Sequence, residues 1–386
     1  MKQNFAFLII LLALCGGGLF AQDLSIVLDS TINYTAGAGE AADHSFGFEQ
    51  FANLRFRVRG ERATFISAFN LIAVSGNFVE AAEFMELQNQ YFLGSTPFIH
   101  GQNYAAAIEL ERLYFRVNSD LFDTEAGLLR MAFGYSQVWG PSDFLNPRNP
   151  LSYNARPRGV LGTTFSFYPA DSMEFVLFAA TPKNPFLSDG GGLVPGFSLD
   201  RHWSKASLQA LYAFHTPMEE LDQGLHRFGL SVKADMELGF VFDALYTLNP
   251  ANLEGIEGLS LAAGFDYSFL GGDLYVLAEY LFNGNASASA LGFGGNWANH
   301  HYLFASAIYR FNDFCSLTFA TVLCLTDLSF SPFITLNYEL FQGFSLNLTA
   351  RIPLDQDALT DGRAGELGPV NSGARFILNA GARLRF

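Results

Sequence analysis

Phe344, Leu346, Leu348, Ala350 and Ile352 alternate strictly with Ser345, Asn347, Thr349 and Arg351. A period of two belongs to a β-strand, whose successive side chains point to opposite faces. One face is therefore apolar and the other polar. The same pattern sets Phe330, Ile334, Leu336, Tyr338 and Leu340 against Ser331, Thr335, Asn337 and Glu339. It sets Phe46, Phe48, Leu54, Phe56 and Val58 against Glu49, Asn53, Arg55 and Arg57. Half of the 386 residues are hydrophobic and 15% are aromatic, yet no stretch after residue 21 reaches 18 consecutive apolar residues. Membrane-spanning helices are thereby excluded. High apolar content without a long apolar run suits strands with lipid on one side and water on the other.

The last stretch, 372–386, follows the same rule. Phe376, Leu378, Ala380, Ala382, Leu384 and Phe386 form one face; Arg375, Ile377, Asn379, Gly381, Arg383 and Arg385 form the other. An alternating strand closing on an aromatic residue resembles the closing strand of bacterial outer-membrane β-barrels. That resemblance implies that Phe386 is the assembly signal read by the barrel-assembly machinery. The first residues agree. Lys2 is the only charge before residue 22, and 5–14 is a short apolar core followed by glycines. This predicts a secretory signal peptide, 1–21, cut after Ala21, because so few apolar residues cannot span a bilayer. A lipoprotein signal using Cys15 is the competing reading, but Leu14 is larger than the small residue usual before a lipidated cysteine. Signal and barrel together imply the outer membrane of a diderm bacterium.

Strands are expected near 24–34, 46–59, 62–74, 104–117, 122–135, 158–168, 172–181, 204–215, 226–234, 239–248, 258–269, 273–283, 301–311, 314–325, 329–340, 344–353 and 374–386. Short turns should alternate with long connections, as in bacterial barrels with short periplasmic turns and longer external loops. Counting from the two ends gives conflicting parities unless one more strand lies near 193–199. The expected fold is all-β: a single antiparallel transmembrane barrel over 22–386 with about 18 strands, or 16 if that segment is loop. Closing the sheet removes its edges.

The most distinctive segment is 128–169. A strand running through Gly134-Tyr135-Ser136-Gln137 enters Trp139-Gly140-Pro141-Ser142-Asp143-Phe144-Leu145-Asn146-Pro147. Pro141, Pro147, Pro150 and Pro157 stiffen it. It resembles a group of outer-membrane barrels, porin-like or of the alginate-export type, in which a strand ending Gly-Arg-Gln runs into a Trp-Gly…Asp…Asn-Pro loop. Here Tyr135-Ser136 stands in place of the arginine. If the 136–157 loop folds inward, Trp139, Asp143, Asn146, Arg148, Arg156 and Arg158 form a constriction; if it braces the rim, they do not.

The alternation places Arg55, Arg57, Arg130, Arg351, Arg375 and Arg383, with Glu49, Asp243, Asp266 and Glu279, on polar, pore-lining faces. Rings of such charges set selectivity in an open pore, and pair to fill a narrow one. Glu109, Glu111, Arg112 and Arg116 fall in a strand whose alternation slips, which predicts a bulge. Arg57, Arg59, Arg62, Arg116, Arg383 and Arg385 gather at the periplasmic end. Glu80, Glu83, Glu86, Glu219, Glu220, Asp222, Glu254, Glu257, Asp355, Asp357, Asp361 and Glu366 fall in external loops. The net charge of −15, or −16 once Lys2 is removed, argues against nucleic acid. Cys315 and Cys324 lie nine residues apart on one strand, so they face opposite sides roughly 30 Å apart and cannot bridge.

No catalytic motif, metal site or cofactor-binding loop appears; Asp355–Glu366 lacks the glycine of a calcium loop. The chain reads as a channel for passive diffusion of small solutes, its partners being those solutes and outer-membrane lipid. A closed barrel serving as a surface adhesin or structural protein is the alternative, and a transporter of hydrophobic compounds a third. The sequence is silent on the solute and the oligomeric state.

Overall fold

The computed structural model describes residues 23–37, 44–77, 96–101, 103–146, 150–151, 159–181, 192–216, 224–250, 258–284, 297–355 and 365–386. The signal peptide, Cys15 and Arg158 lie outside them, as do most of the acidic loop residues.

The strands are β1 Asp23–Gly37, β2 His44–Arg59, β3 Ala63–Gly76, β4 Thr96–Gly101, β5 Tyr104–Asn118, β6 Phe122–Leu129, β7 Val160–Ala170, β8 Met173–Thr181, β9 Val194–His202 and β10 Ala206–His215. They continue as β11 Leu225–Asp235, β12 Gly239–Leu248, β13 Leu259–Phe269, β14 Leu274–Asn283, β15 His301–Asn312, β16 Cys315–Cys324, β17 Phe330–Phe341, β18 Phe344–Arg351 and β19 Ala374–Arg385. Every pairing is antiparallel and joins chain neighbours, except that β3 pairs β5 directly and β1 pairs β19. The sheet closes because β1 pairs both β2 and β19. At the seam the Phe386 N–H donates to the Ile26 carbonyl at 2.9 Å, and the Ile26 N–H returns the bond at 3.2 Å. β4 pairs with β5 alone and stands outside the ring, so the closed barrel has 18 strands. β9 is the strand that the parity demanded near 193–199, so the 16-strand alternative falls.

The short turns at 60–62, 119–121, 171–172, 203–205, 236–238, 270–273, 313–314 and 342–343 gather at one end, and the long connections at the other. The outer face is greasy along its length: Phe46, Phe228, Phe265 and Phe319 are exposed, Phe319 by 55%. In water such a belt would be costly at about 25 cal/mol per Å²; against lipid it is the stable arrangement.

Two departures from simple alternation matter. The sequence carried the strand at 122 on to residue 135, but β6 has only 8 residues against 16 in β2 and stops at Leu129. The chain then leaves the wall. That exposes the far edge of β5, and β4, in a stretch expected to be loop, pairs with Tyr104–Ile108 to cover it. Unpaired backbone at this depth is expensive, so a truncated strand needs such a patch. The expected bulge is present: Ala68 faces Arg112 while Phe69 faces Leu110, leaving Glu111 extra.

Candidate functional site

After Leu129 the chain turns into the barrel, and 131–146 lies against the inside wall. Met131, Phe133, Phe144 and Leu145 pack on Phe178 of β8, Val194 of β9, Leu211 of β10 and Leu245 of β12. Phe133 stacks between Phe144 and Phe178, with ring centroids 6.2 and 4.8 Å away. Val138 and Trp139 join a second cluster with Ala262, Leu277, Leu281, Tyr302, Phe304 and Val322. The inner face of these strands is therefore apolar at this level, where alternation alone predicts a uniformly polar interior. Two glycines make room. A Cβ on Gly162 of β7 would stand 2.6 Å from the Met131 Cε. Gly134 bends with φ +83 directly over Asp243, a conformation a side chain would oppose.

The polar groups of the segment are met by carboxylates on the wall. Glu279 of β14 is fully buried. It accepts the backbone N–H groups of Gln137 at 3.0 Å and Trp139 at 2.7 Å, a longer pair from Val138, and the Ser136 hydroxyl. The Trp139 indole N–H donates to the Glu279 carbonyl at 2.9 Å. Asp243 of β12, also fully buried, accepts the hydroxyls of Ser142 and, at 2.8 Å, Ser231. Gln209 accepts the Gly134 N–H at 2.6 Å and donates to Asp200 at 2.8 Å, an atom that Tyr135 also reaches. Gln137 donates to Asp266 at 3.1 Å and accepts from Tyr275. The Asn146 amide caps the Met131 carbonyl. Farther along, Arg351 of β18 donates to the Leu151 carbonyl at 3.2 Å, so the connection touches a wall remote from β12 and β14.

The wall of β1–β5 and β17–β19 carries the polar lining. Asn53 donates to Asn70 and to Glu111, each at 2.6 Å, and Asn70 donates to Glu109 at 2.9 Å. Arg55 approaches Glu111 at 3.9 Å with its side chain 46% exposed. Arg112 is within electrostatic reach of Arg55 and of Arg130, the exposed first residue of the inserted segment.

The site residues named from sequence therefore separate into groups. Asp243 and Glu279 face inward but hold the inserted segment instead of meeting solvent, and Trp139, Asp143 and Asn146 are buried within that segment. Asp266 and Arg351 also contact the connection. Arg55, Arg57, Arg130 and Arg375 keep exposed or partly exposed side chains. Arg383 forms a two-pronged ion pair with Asp29 at 2.6 and 3.1 Å. The basic rim is largely paired: Arg57 and Arg59 approach Asp23, and Arg116 binds Glu125. Cys315 and Cys324 stand free at opposite ends of β16.

Sequence reasoning missed a clasp at the end of the long connections. Glu366, expected as a solvated loop charge, accepts the Ala298 N–H at 2.9 Å, the Asn299 amide at 2.9 Å and the Tyr302 hydroxyl. Its own N–H donates to Asp327 at 2.7 Å, and Asp327 also accepts from Asn299 and Ser329. Three connections meet there, and Trp297 lies edge-on to Trp139 at 5.1 Å. Cys324 stands close enough to Asp327 and Glu366 for their ligand atoms to fall within 4.8 Å. The carboxylate oxygens already accept hydrogen bonds, so the group is built as a hydrogen-bond hub. Only spacing-independent tertiary proximity unites these residues, so no sequence signal marked them.

No family model matches the chain, and no curated protein matches it. Solved structures do. Acinetobacter baumannii OccAB4 aligns with a TM-score of 0.58 at 10% identity, over 94% of this chain and 97% of its own. OccAB1 of the same organism aligns at 0.56 with 12% identity, over 96% and 98%. Pseudomonas aeruginosa OccK7 (OpdD) aligns at 0.53 with 11% identity, over 95% and 99%. These likenesses are of fold.

Proposed function

We propose that this protein is an outer-membrane channel through which small polar solutes diffuse passively. The observation that carries the reading is the inserted segment: a stiff connection seated by buried Glu279 and Asp243, facing a polar wall that bears Arg55, Arg112, Glu109 and Glu111. A narrowed bore with charge on one side and a fixed constriction on the other selects solutes by size and charge. The likeness of fold to Acinetobacter baumannii OccAB4 and OccAB1 and Pseudomonas aeruginosa OccK7 supports the barrel architecture on which the reading rests. In it the short turns are periplasmic, the long connections external, the belt of Phe and Leu meets lipid, and 1–21 is the export signal. Lipid-facing Phe386 is the assembly signal. The chain works as a passive conduit, with no chemistry of its own.

A second reading, a closed barrel acting through its external connections, is favoured by the two apolar clusters and the Arg351–Leu151 contact, which bring the connection across the bore. Single-channel recording in planar bilayers separates the two. Discrete, small conductance steps are expected. A folded barrel, identified by its shifted migration without boiling, that conducts nothing would overturn the channel.

A further inference from the structure

One arrangement occurs three times on the outer face. Tyr34 of β1, Tyr212 of β10 and Tyr280 of β14 each stand three residues before the strand's end at the long connections. His44, His226 and His301 stand at or next to the start of the following strand. The register repeats as well: His44 faces Ala36, His226 faces Phe214 and His301 faces Phe282, so each tyrosine lies diagonal to its histidine. The tyrosine oxygen is 2.8, 2.9 and 2.6 Å from Nδ1 in the three pairs.

The chemistry of that bond fixes the other nitrogen. Phenol is the stronger acid and imidazole nitrogen the stronger base, so the tyrosine donates to Nδ1 and the ring hydrogen sits on Nε2. If the ring gains a second proton, Nε2 still carries its hydrogen. Nε2 therefore remains a donor, and no partner meets it among the described residues. The outward positions at this end hold no Asp, Glu, Lys or Arg among the described residues; Phe46, Phe214, Phe228 and Phe282 surround the pairs. A donor at the edge of an apolar belt, with no acid beside it, is open to an anionic acceptor.

We propose that the three Tyr–His pairs are headgroup sites, each donating Nε2–H to a phosphate oxygen of lipid in the leaflet at the long-connection end. The proposal rests on the membrane-barrel reading, though not on conductance. The pairs stand at the long-connection end of the hydrophobic belt, the level at which a leaflet carries its phosphates, and in each the histidine ring lies 15–33° from the plane of its tyrosine.

The test is retention of phosphatidic acid against diacylglycerol by the purified, folded protein in phosphate-free detergent, read by native mass spectrometry. Phosphatidic acid should be retained preferentially. The triple variant H44F/H226F/H301F should lose that preference, about tenfold for each tight site, while keeping its unboiled migration. The triple variant Y34F/Y212F/Y280F, which frees the rings to reorient, should lose part of it. Should a triple variant fail to fold, the single histidine variants carry the test, each lowering retention in part. Unchanged retention in the histidine variants, equal retention of diacylglycerol, or displacement by equimolar inorganic phosphate would overturn the proposal. Wild-type protein without a boiling shift would instead sink the membrane barrel itself.

Discussion

The carboxylate of Glu279 accepts the backbone N–H of Trp139 at 2.7 Å, across 140 residues of sequence. That bond pins a segment rooted between β6 and β7 to a strand on another part of the barrel, and buries a charge to do so.

Replacing Glu279 by Gln keeps the shape but turns an N–H₂ group toward amides that also donate. Buried donors left without acceptors are expensive, so E279Q should lose roughly 3 kcal/mol. The urea midpoint of the folded barrel measures this. The same variant should show noisier current, because the segment is released. A quiet channel with an unchanged midpoint would mean that the carboxylate does not hold the segment.

Gly162 is the place where Met131 meets the wall. A Cβ there would stand 2.6 Å from the Met131 Cε and would press on the Ala179 carbonyl as well. G162V should therefore cost about 1–3 kcal/mol through overpacking. G162V combined with M131A should recover part of that loss. Additive losses in a double-mutant cycle would show that the two positions do not share the space.

Arg55, Arg112 and Arg130 place three cations beside the bore. R55S and R130S should each move the reversal potential under a salt gradient toward greater cation preference, and more so together. The shift should shrink at high salt, where the Debye length falls to about 3 Å. A potential that ignores both substitutions would place the conducting path elsewhere.

The clasp of the long connections should open in acid. Burial alone would raise the Asp327 carboxyl, but hydrogen bonds from the Glu366 N–H and from Ser329 outweigh it and hold the group below its ordinary value. A carboxyl depressed in the folded state stabilises it fully above the unfolded value of about 3.9, and that stability is lost as pH falls through the lower folded value. Protease cleavage of the 284–300 and 352–373 connections should therefore accelerate only well below pH 4. D327N should show fast cleavage already at neutral pH. Equal cleavage of both proteins across the range would rule out the clasp.

Much of the barrel was legible because alternation is a local property. Strand faces, the short turns, the closing position of Phe386, the bulge at Glu111 and even the strand at Val194–His202 followed from a period of two and the need for parity. The inserted segment was legible only as an oddity: prolines, Trp139 and a conspicuous Asp and Asn. Its direction was not, because nothing local distinguishes a loop that braces a rim from one that enters the bore. The Tyr–His pairs are written in the sequence as a tyrosine before each connection and a histidine after it. They become a pattern only once the register aligns them.

The sequence by itself determined that this chain folds as a closed sheet with an apolar face and a polar face, since a period of two distributes the apolar content along every strand. It also determined which residues face in. Whether an inward charge meets solvent was decided by tertiary structure alone. Asp243 and Glu279 share the polar face with Arg55, yet they are sealed under 131–146 while Arg55 stays half exposed. The physical reason is that alternation sets a side chain's direction within its own strand, whereas burial depends on what arrives from far along the chain. Here that arrival follows from β6 stopping at Leu129.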